Sequence, residues 1–145
     1  MFQHILVPTD GSPLAAKAVT NAMSLAKDLK ARVTVLTVIE PYHIFAQDPA
    51  QLAETEAAYK KRTQADAARV LAQADDLAQK SGVAYATLQL EHEHVHQAII
   101  ETASKRGCDL IAMASHGRRG IAALVLGSVT TKILTHTLVP VLVYR

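Results

Sequence analysis

Two rhythms of apolar residues alternate along this chain: short unbroken runs, and longer stretches in which apolar positions recur every three or four residues. His4 to Pro8 is the first run, and Thr9, Asp10, Gly11, Ser12 and Pro13 after it combine turn formers with helix caps. From Pro13 to Leu29, the residues Ala15, Ala18, Val19, Ala22, Met23, Ala26 and Leu29 fall on one helical face, and Pro13 suits a first turn. Arg32 to Ile39 is rich in β-branched residues and stops at Glu40-Pro41, which predicts a second strand. Ala50 to Ser81 has neither Gly nor Pro and predicts a helix through most of its length. Leu52 and Tyr59, then Ala67, Val70, Leu71, Ala74, Leu77 and Ala78, mark its apolar face, and Gly82 supplies the stop.

Val83 to Leu90 predicts a third strand, and Ala98, Ile99, Ile100 and Ala103 a third helix. Cys108 to Ala114 reads as a fourth strand, Ser128 to about His136 as a fourth helix, and Val139 to Tyr144 as a fifth strand. Pro140, which has no N–H to give to a ladder, places that last strand at a sheet edge. Strands and helices in alternation predict an α/β fold, a parallel sheet covered by helices on both faces. In such sheets ligands bind at the carboxyl ends of the strands, where chain order reverses. No internal repeat or linker interrupts the 145 residues, so a single domain is expected.

Charge narrows the partners. Lys and Arg total 15 and Asp and Glu 13, a net charge of +2 spread along the chain, and Trp is absent, which speaks against nucleic acid as a partner. The single cysteine, Cys108, cannot form an internal disulfide and reads as a buried, inert thiol. There is no secretory signal, and no apolar run approaches the roughly 20 residues of a membrane span, so a soluble cytoplasmic protein without membrane association is expected.

The chemistry concentrates between Leu110 and Thr130, where an apolar run empties into small residues and two arginines. Gly127 followed by Ser128, Val129 and Thr130 has the form of a glycine leading into a helix, whose unpaired N–H groups attract phosphate. Arg118 and Arg119 could pair with outer phosphates, although adjacent loop arginines are more often simply solvated. His92, His94 and His96 alternate, and on an extended segment they would share a side suited to Zn²⁺ or Ni²⁺. A helix starting by His94 or Val95 removes that alternation, and the reading without a metal site is preferred. No nucleophile-base-orienter set, His-x-Gly-His segment or Walker lysine motif occurs, so no catalytic residue is assigned.

Taken together, these segments resemble the universal stress protein family along essentially the whole chain. The likeness is carried by the opening Ile-Leu-Val-Pro-Thr-Asp-Gly-Ser, by Val-Ile-Glu-Pro, and by Asp-Leu-Ile-Ala-Met-Ala-Ser-His-Gly-Arg-Arg-Gly. Leu-Gly-Ser-Val-Thr and the terminal Val-Pro-Val-Leu-Val complete it. The resemblance implies an open parallel five-stranded sheet of order 3-2-1-4-5, Rossmann-like and similar to the adenine nucleotide alpha hydrolases. It also implies a homodimer, here through the edge strand Val139 to Tyr144, whose unpaired backbone needs cover.

One branch of the family binds ATP through a Gly, two residues, Gly, nine residues, then Gly followed by Ser or Thr. Here Ala114, Gly117, Gly127 and Ser128 keep that spacing, with alanine replacing the first glycine. A negative φ at Ala114 would let the methyl merely narrow the approach. By the same resemblance Pro8, Thr9 and Asp10 border the adenosine, Asp10 accepting from ribose or base; the other reading of Asp10 is a helix N-cap, and the two roles are compatible. Val38 offers backbone contacts to adenine, and Met113 belongs to the same site. Gly117, Gly127, Ser128, Val129 and Thr130 surround the phosphates by backbone N–H, with the hydroxyls of Ser128 and Thr130 as further donors. The function implied is ATP binding, with or without Mg²⁺, in a regulatory stress response. The alternatives are a dimeric interaction protein that binds no nucleotide, and a weak ATPase or self-phosphorylating protein.

Overall fold

The computed structural model describes residues 1–43, 54–118 and 125–145. Along them run β1 (His4–Pro8), α1 (Pro13–Leu29), β2 (Arg32–Ile39), α2 (Glu56–Ser81) and β3 (Tyr85–Glu91). α3 (Val95–Arg106), β4 (Leu110–Ala114), α4 (Ser128–His136) and β5 (Val141–Tyr144) follow. The five strands form one sheet of order β3-β2-β1-β4-β5, and every pairing is parallel. This is the α/β architecture that the alternating rhythms predict and the strand order that the family resemblance implies.

Successive side chains of a strand point to opposite faces, and the core divides accordingly. Ile5, Val7, Val33, Val35, Leu110 and Ala112 pack against Val19, Ala22 and Met23 of α1 and Ala74 and Ala78 of α2. Leu6, Leu36, Ile111 and Met113 face the other way, onto Ile99 and Ala103 of α3 and Ile133 of α4. Ile5, Leu6, Leu36 and Ile111 are fully buried, each worth about 1.5–3 kcal/mol against about 1 for a hydrogen bond, so packing sets the frame.

Four element boundaries differ from the sequence pattern: β3 runs Tyr85–Glu91 rather than Val83 to Leu90, and the other three have a local reason. The long helix starts at Glu56, capped by Thr55, whose side chain accepts from the N–H of Ala58 at 3.2 Å. Positions 50–53, Leu52 included, lie outside the described residues; the helix stops at Gly82, φ 71°, as its glycine predicts. β4 begins at Leu110 because the N–H of Cys108 still closes α3 on the carbonyl of Ala103 at 2.8 Å. β5 begins at Val141 rather than Val139 because Pro140 has no N–H; its carbonyl still accepts from Ile111 at 2.9 Å, and the strand lies at the sheet edge.

A polar cluster lies at the amino end of β1. The Asp109 carboxylate accepts from the backbone N–H of Gln3 and of His4, and although burial alone would raise its pKa, these bonds hold it below the ordinary value. His4 is buried with Nδ1 3.1 Å from the carbonyl of Arg106 and Nε2 2.8 Å from the Thr34 hydroxyl. Since a carbonyl only accepts, Nδ1 is the donor in that contact. Burial, then the nearby Arg32 charge, lowers the His4 pKa below 6.5. The unfolded chain therefore binds the extra proton first, so this stabilisation is complete above 6.5 and is lost as pH falls through the lowered folded value. Melting temperature is expected to drop between pH 7 and pH 5, and less in His4→Gln, which keeps a donor and an acceptor; equal slopes would refute the assignment. Burial, then Asp109, raises the Cys108 thiol to about 11, which leaves it inert at neutral pH.

Among the described residues no helix is long and apolar enough to cross a membrane.

Candidate functional site

β1 lies between β2 and β4, so the chain runs outward from it in both directions and leaves a crevice at the strands' carboxyl ends. A cavity of about 540 Å³ occupies that crevice. Pro8, Thr9 and Asp10 line it from the end of β1, Val38 from β2, and Met113, Ala114 and Gly117 from the end of β4. Gly127, Ser128, Val129 and Thr130 line it from the start of α4, so the structure brings together all the residues the family resemblance singles out. Arg118 joins them, while Arg119 lies outside the described residues.

Asp10 is not the cap of α1. That role belongs to Ser12, whose hydroxyl accepts from the N–H of Ala15 at 3.2 Å. One carboxylate oxygen of Asp10 accepts from the N–H of Ser12 at 2.9 Å, and the other from the N–H of Arg118 at 2.8 Å. The end of β1 is thereby tied to the segment after β4. A Cβ on Gly117 would collide with the Asp10 carboxylate, which is why a glycine stands there. Between Asp10 and Ser12 the chain turns through Gly11 at φ 77°, in the left-handed region that favours glycine.

Val38 owes its position to register. Pro8 pairs with Leu36, and the last β1-side bond runs from the N–H of Thr9 to the carbonyl of Leu36 at 2.8 Å. Ladder bonds alternate sides along a strand, so the N–H and C=O of Val38 point to the side that β1 has vacated. One donor and one acceptor therefore face the cavity beside Pro8.

The start of α4 supplies donors. Gly127 caps it without a side-chain hydrogen bond, and the first helical bond runs from the N–H of Thr131 to the carbonyl of Gly127 at 3.0 Å. The N–H groups of Ser128, Val129 and Thr130 precede that bond and form the positive end of the helix dipole. A Cβ on Gly127 would stand 3.2 Å from the Cα of His116, so the glycine permits a close backbone approach. The Thr130 hydroxyl departs from the donor role the resemblance implies: it is buried and gives its hydrogen to the carbonyl of Ala114 at 3.1 Å. A hydroxyl has one hydrogen, so Thr130 has only its backbone N–H left to offer the cavity, while Ser128 stays exposed.

Ala114 is accommodated. Its φ is not positive, and it packs with Ala15 and Ala18 of α1 at the end of β4. Small residues on α1 thus receive the methyl that replaces the family's glycine.

The cavity has one wall that sequence reasoning missed: Tyr59, Arg62, Thr63 and Asp66 of α2, continued by Ala67 and Val70. The signal was present. These residues share one helix face, and the polar positions 62, 63 and 66 interrupt an apolar stripe that resumes at Ala67. A stripe facing a cavity, rather than the sheet, can be polar. His116 was missed too; it lines the cavity with Nδ1 3.2 Å from the Ser115 hydroxyl.

The alternating histidines do not converge. His94 is the N-cap of α3, so the extended segment ends there. Ring centroids lie 6.4 Å apart from His92 to His94, 6.0 Å from His94 to His96, and 5.9 Å from His96 to His136. Among the described residues no group of three His, Cys, Asp or Glu side chains is placed to hold a metal ion.

Comparison with known proteins places this geometry in context. Residues 1–145 match the universal stress protein family. The chain is similar to a universal stress protein of Thermus aquaticus, 32% identical over 145 residues and covering all of both chains. Among solved structures it resembles MJ0577 of Methanocaldococcus jannaschii, 28% identical with a TM-score of 0.81, over 99% of this chain and 95% of the other. A universal stress protein solved in complex with cAMP, 24% identical, shares the fold with a TM-score of 0.74 over 99% of this chain and 97% of its own.

Proposed function

Because the chain belongs to the universal stress protein family, we propose that it binds ATP in the cavity at the carboxyl edge of the sheet and acts as a regulatory module of the stress response. The observation that carries this reading is the meeting of a helix N-terminus that has no side-chain cap bond with a backbone donor and acceptor in one cavity. The N–H groups of Ser128, Val129 and Thr130 suit phosphates, and the N–H and C=O of Val38 suit the amine and ring nitrogen along one edge of adenine. Between them Asp10 has acceptor capacity left for a ribose hydroxyl, since each carboxylate oxygen takes more than one hydrogen bond. The cAMP complex of a protein of the same fold supports an adenine nucleotide as the ligand class. Mg²⁺ would arrive on the phosphates and keep most of its water, as this strongly hydrated cation does at nucleotide sites.

The reading includes a cytoplasmic homodimer formed through β5. Val141 to Tyr144 lie half-buried at an open sheet edge, and Leu138 just before them is fully exposed at 102%. A two-fold mate would cover both.

Nucleotide extracted from freshly purified protein tests the first claim, and light scattering of the same sample should give the mass of two chains. At a hundred times its Kd, ATP stabilises by about 2.7 kcal/mol, which for this chain length raises the melting temperature by roughly 5–10 °C. No nucleotide released and no shift with added ATP would leave the dimeric interaction protein as the reading.

A further inference from the structure

We propose that Arg62 on α2 recognises the nucleoside end of the ligand, donating from its guanidinium to the edge of the base; this rests on the cavity's being a nucleotide site. The α2 wall is located by two contacts. At one end Val70 faces Gly11, next to Asp10, so closely that a Cβ on Gly11 would come within 2.6 Å of Val70 Cγ2. At the other end the Tyr59 hydroxyl donates to the carbonyl of Glu40 at 2.7 Å, two residues beyond Val38. Arg62 lies one helical turn from Tyr59 on the face that lines the cavity, and so on the β2 side. The start of α4 follows β4, which is separated from β2 by β1 and thus stands about 10 Å away across the sheet.

The guanidinium is held in place before any ligand arrives. Nε donates to Glu54 Oε1 at 2.8 Å, Nη1 lies 3.6 Å from Asp66 Oδ2, and the guanidinium carbon sits 5.4 Å from the centroid of the Tyr59 ring. Nη2 has no protein partner among the described residues. A planar fork fixed this way loses little freedom on making one more directed bond. Glu54 and Asp66 also cancel much of its charge at a distance, which suits a neutral base edge better than a polyphosphate.

Binding of adenosine, AMP and ATP to the wild type, Arg62→Ala and Arg62→Lys tests the assignment. Arg62 is 45% exposed, so both variants should fold, and a melting curve on each confirms that affinities are compared between folded proteins. The alanine variant is expected to bind all three ligands more weakly by the same factor, about tenfold or more. The lysine variant, which keeps the charge but loses the fixed fork, should follow it. A loss confined to AMP and ATP would make Arg62 a phosphate ligand and overturn the inference, as would unchanged affinities for all three while the wild type binds. A wild type that binds none of the three would overturn the nucleotide reading along with it.

Discussion

Ser128→Glu is expected to weaken ATP binding by about 100-fold or more while leaving the melting temperature unchanged or slightly higher. Ser128 is the first residue of α4, exposed, and lines the cavity. A carboxylate there meets the helix dipole's positive end, which stabilises the fold by about 0.3–1 kcal/mol. The same carboxylate occupies the field that the phosphates would use. Two like charges about 4 Å apart at an effective dielectric near 20 repel by about 4 kcal/mol, and two-thirds of that is already about 100-fold in affinity. Stability and binding should therefore move apart, which general damage to the fold cannot produce. Calorimetric titration beside a melting curve separates them; ATP affinity within about threefold of wild type in a fully folded variant would remove α4 from the phosphate site.

Gly117→Ala should cost about 1–3 kcal/mol of stability, and nucleotide affinity with it, through a contact far away in sequence. The new methyl collides with the Asp10 carboxylate, which must give up the N–H of Arg118. A double-mutant cycle makes this specific. With Asp10→Ala in place nothing remains to collide with, so adding Gly117→Ala should change stability by only a few tenths of a kcal/mol. Equal costs in both backgrounds would mean that Gly117 is required for its own backbone and not for Asp10.

Most of the sheet was legible because strands buried on both faces are short apolar runs, as Ile5 to Val7 and Leu110 to Met113 are, with Val33 to Leu36 broken only by the β-branched Thr34. Helix faces were legible where they meet the sheet, as Ala74 and Ala78 do. The pattern failed where α2 leaves the sheet and borders the cavity, since Arg62, Thr63 and Asp66 obey the cavity's polarity and not the core's. Periodicity predicted a parallel α/β sheet but not its strand order, which came from the family resemblance. Asp10 was ambiguous between cap and site for a local reason: Asp and Ser both cap helices, and only the fold shows Ser12 in that role.

The sequence by itself determined the elements, the carboxyl edge as the place for a site, and the spacing of Ala114, Gly117, Gly127 and Ser128. These are decided within a few residues, by side-chain period, turn chemistry and the needs of helix ends. Only the tertiary structure decided that Asp10 binds the N–H of Arg118, 108 positions away, and that the Thr130 hydroxyl is spent on Ala114. It also decided that the end of β1 frees the backbone of Val38 and that α2 closes the cavity. Each depends on which strand lies beside which and where each one stops, and those relations arise when distant segments pack together.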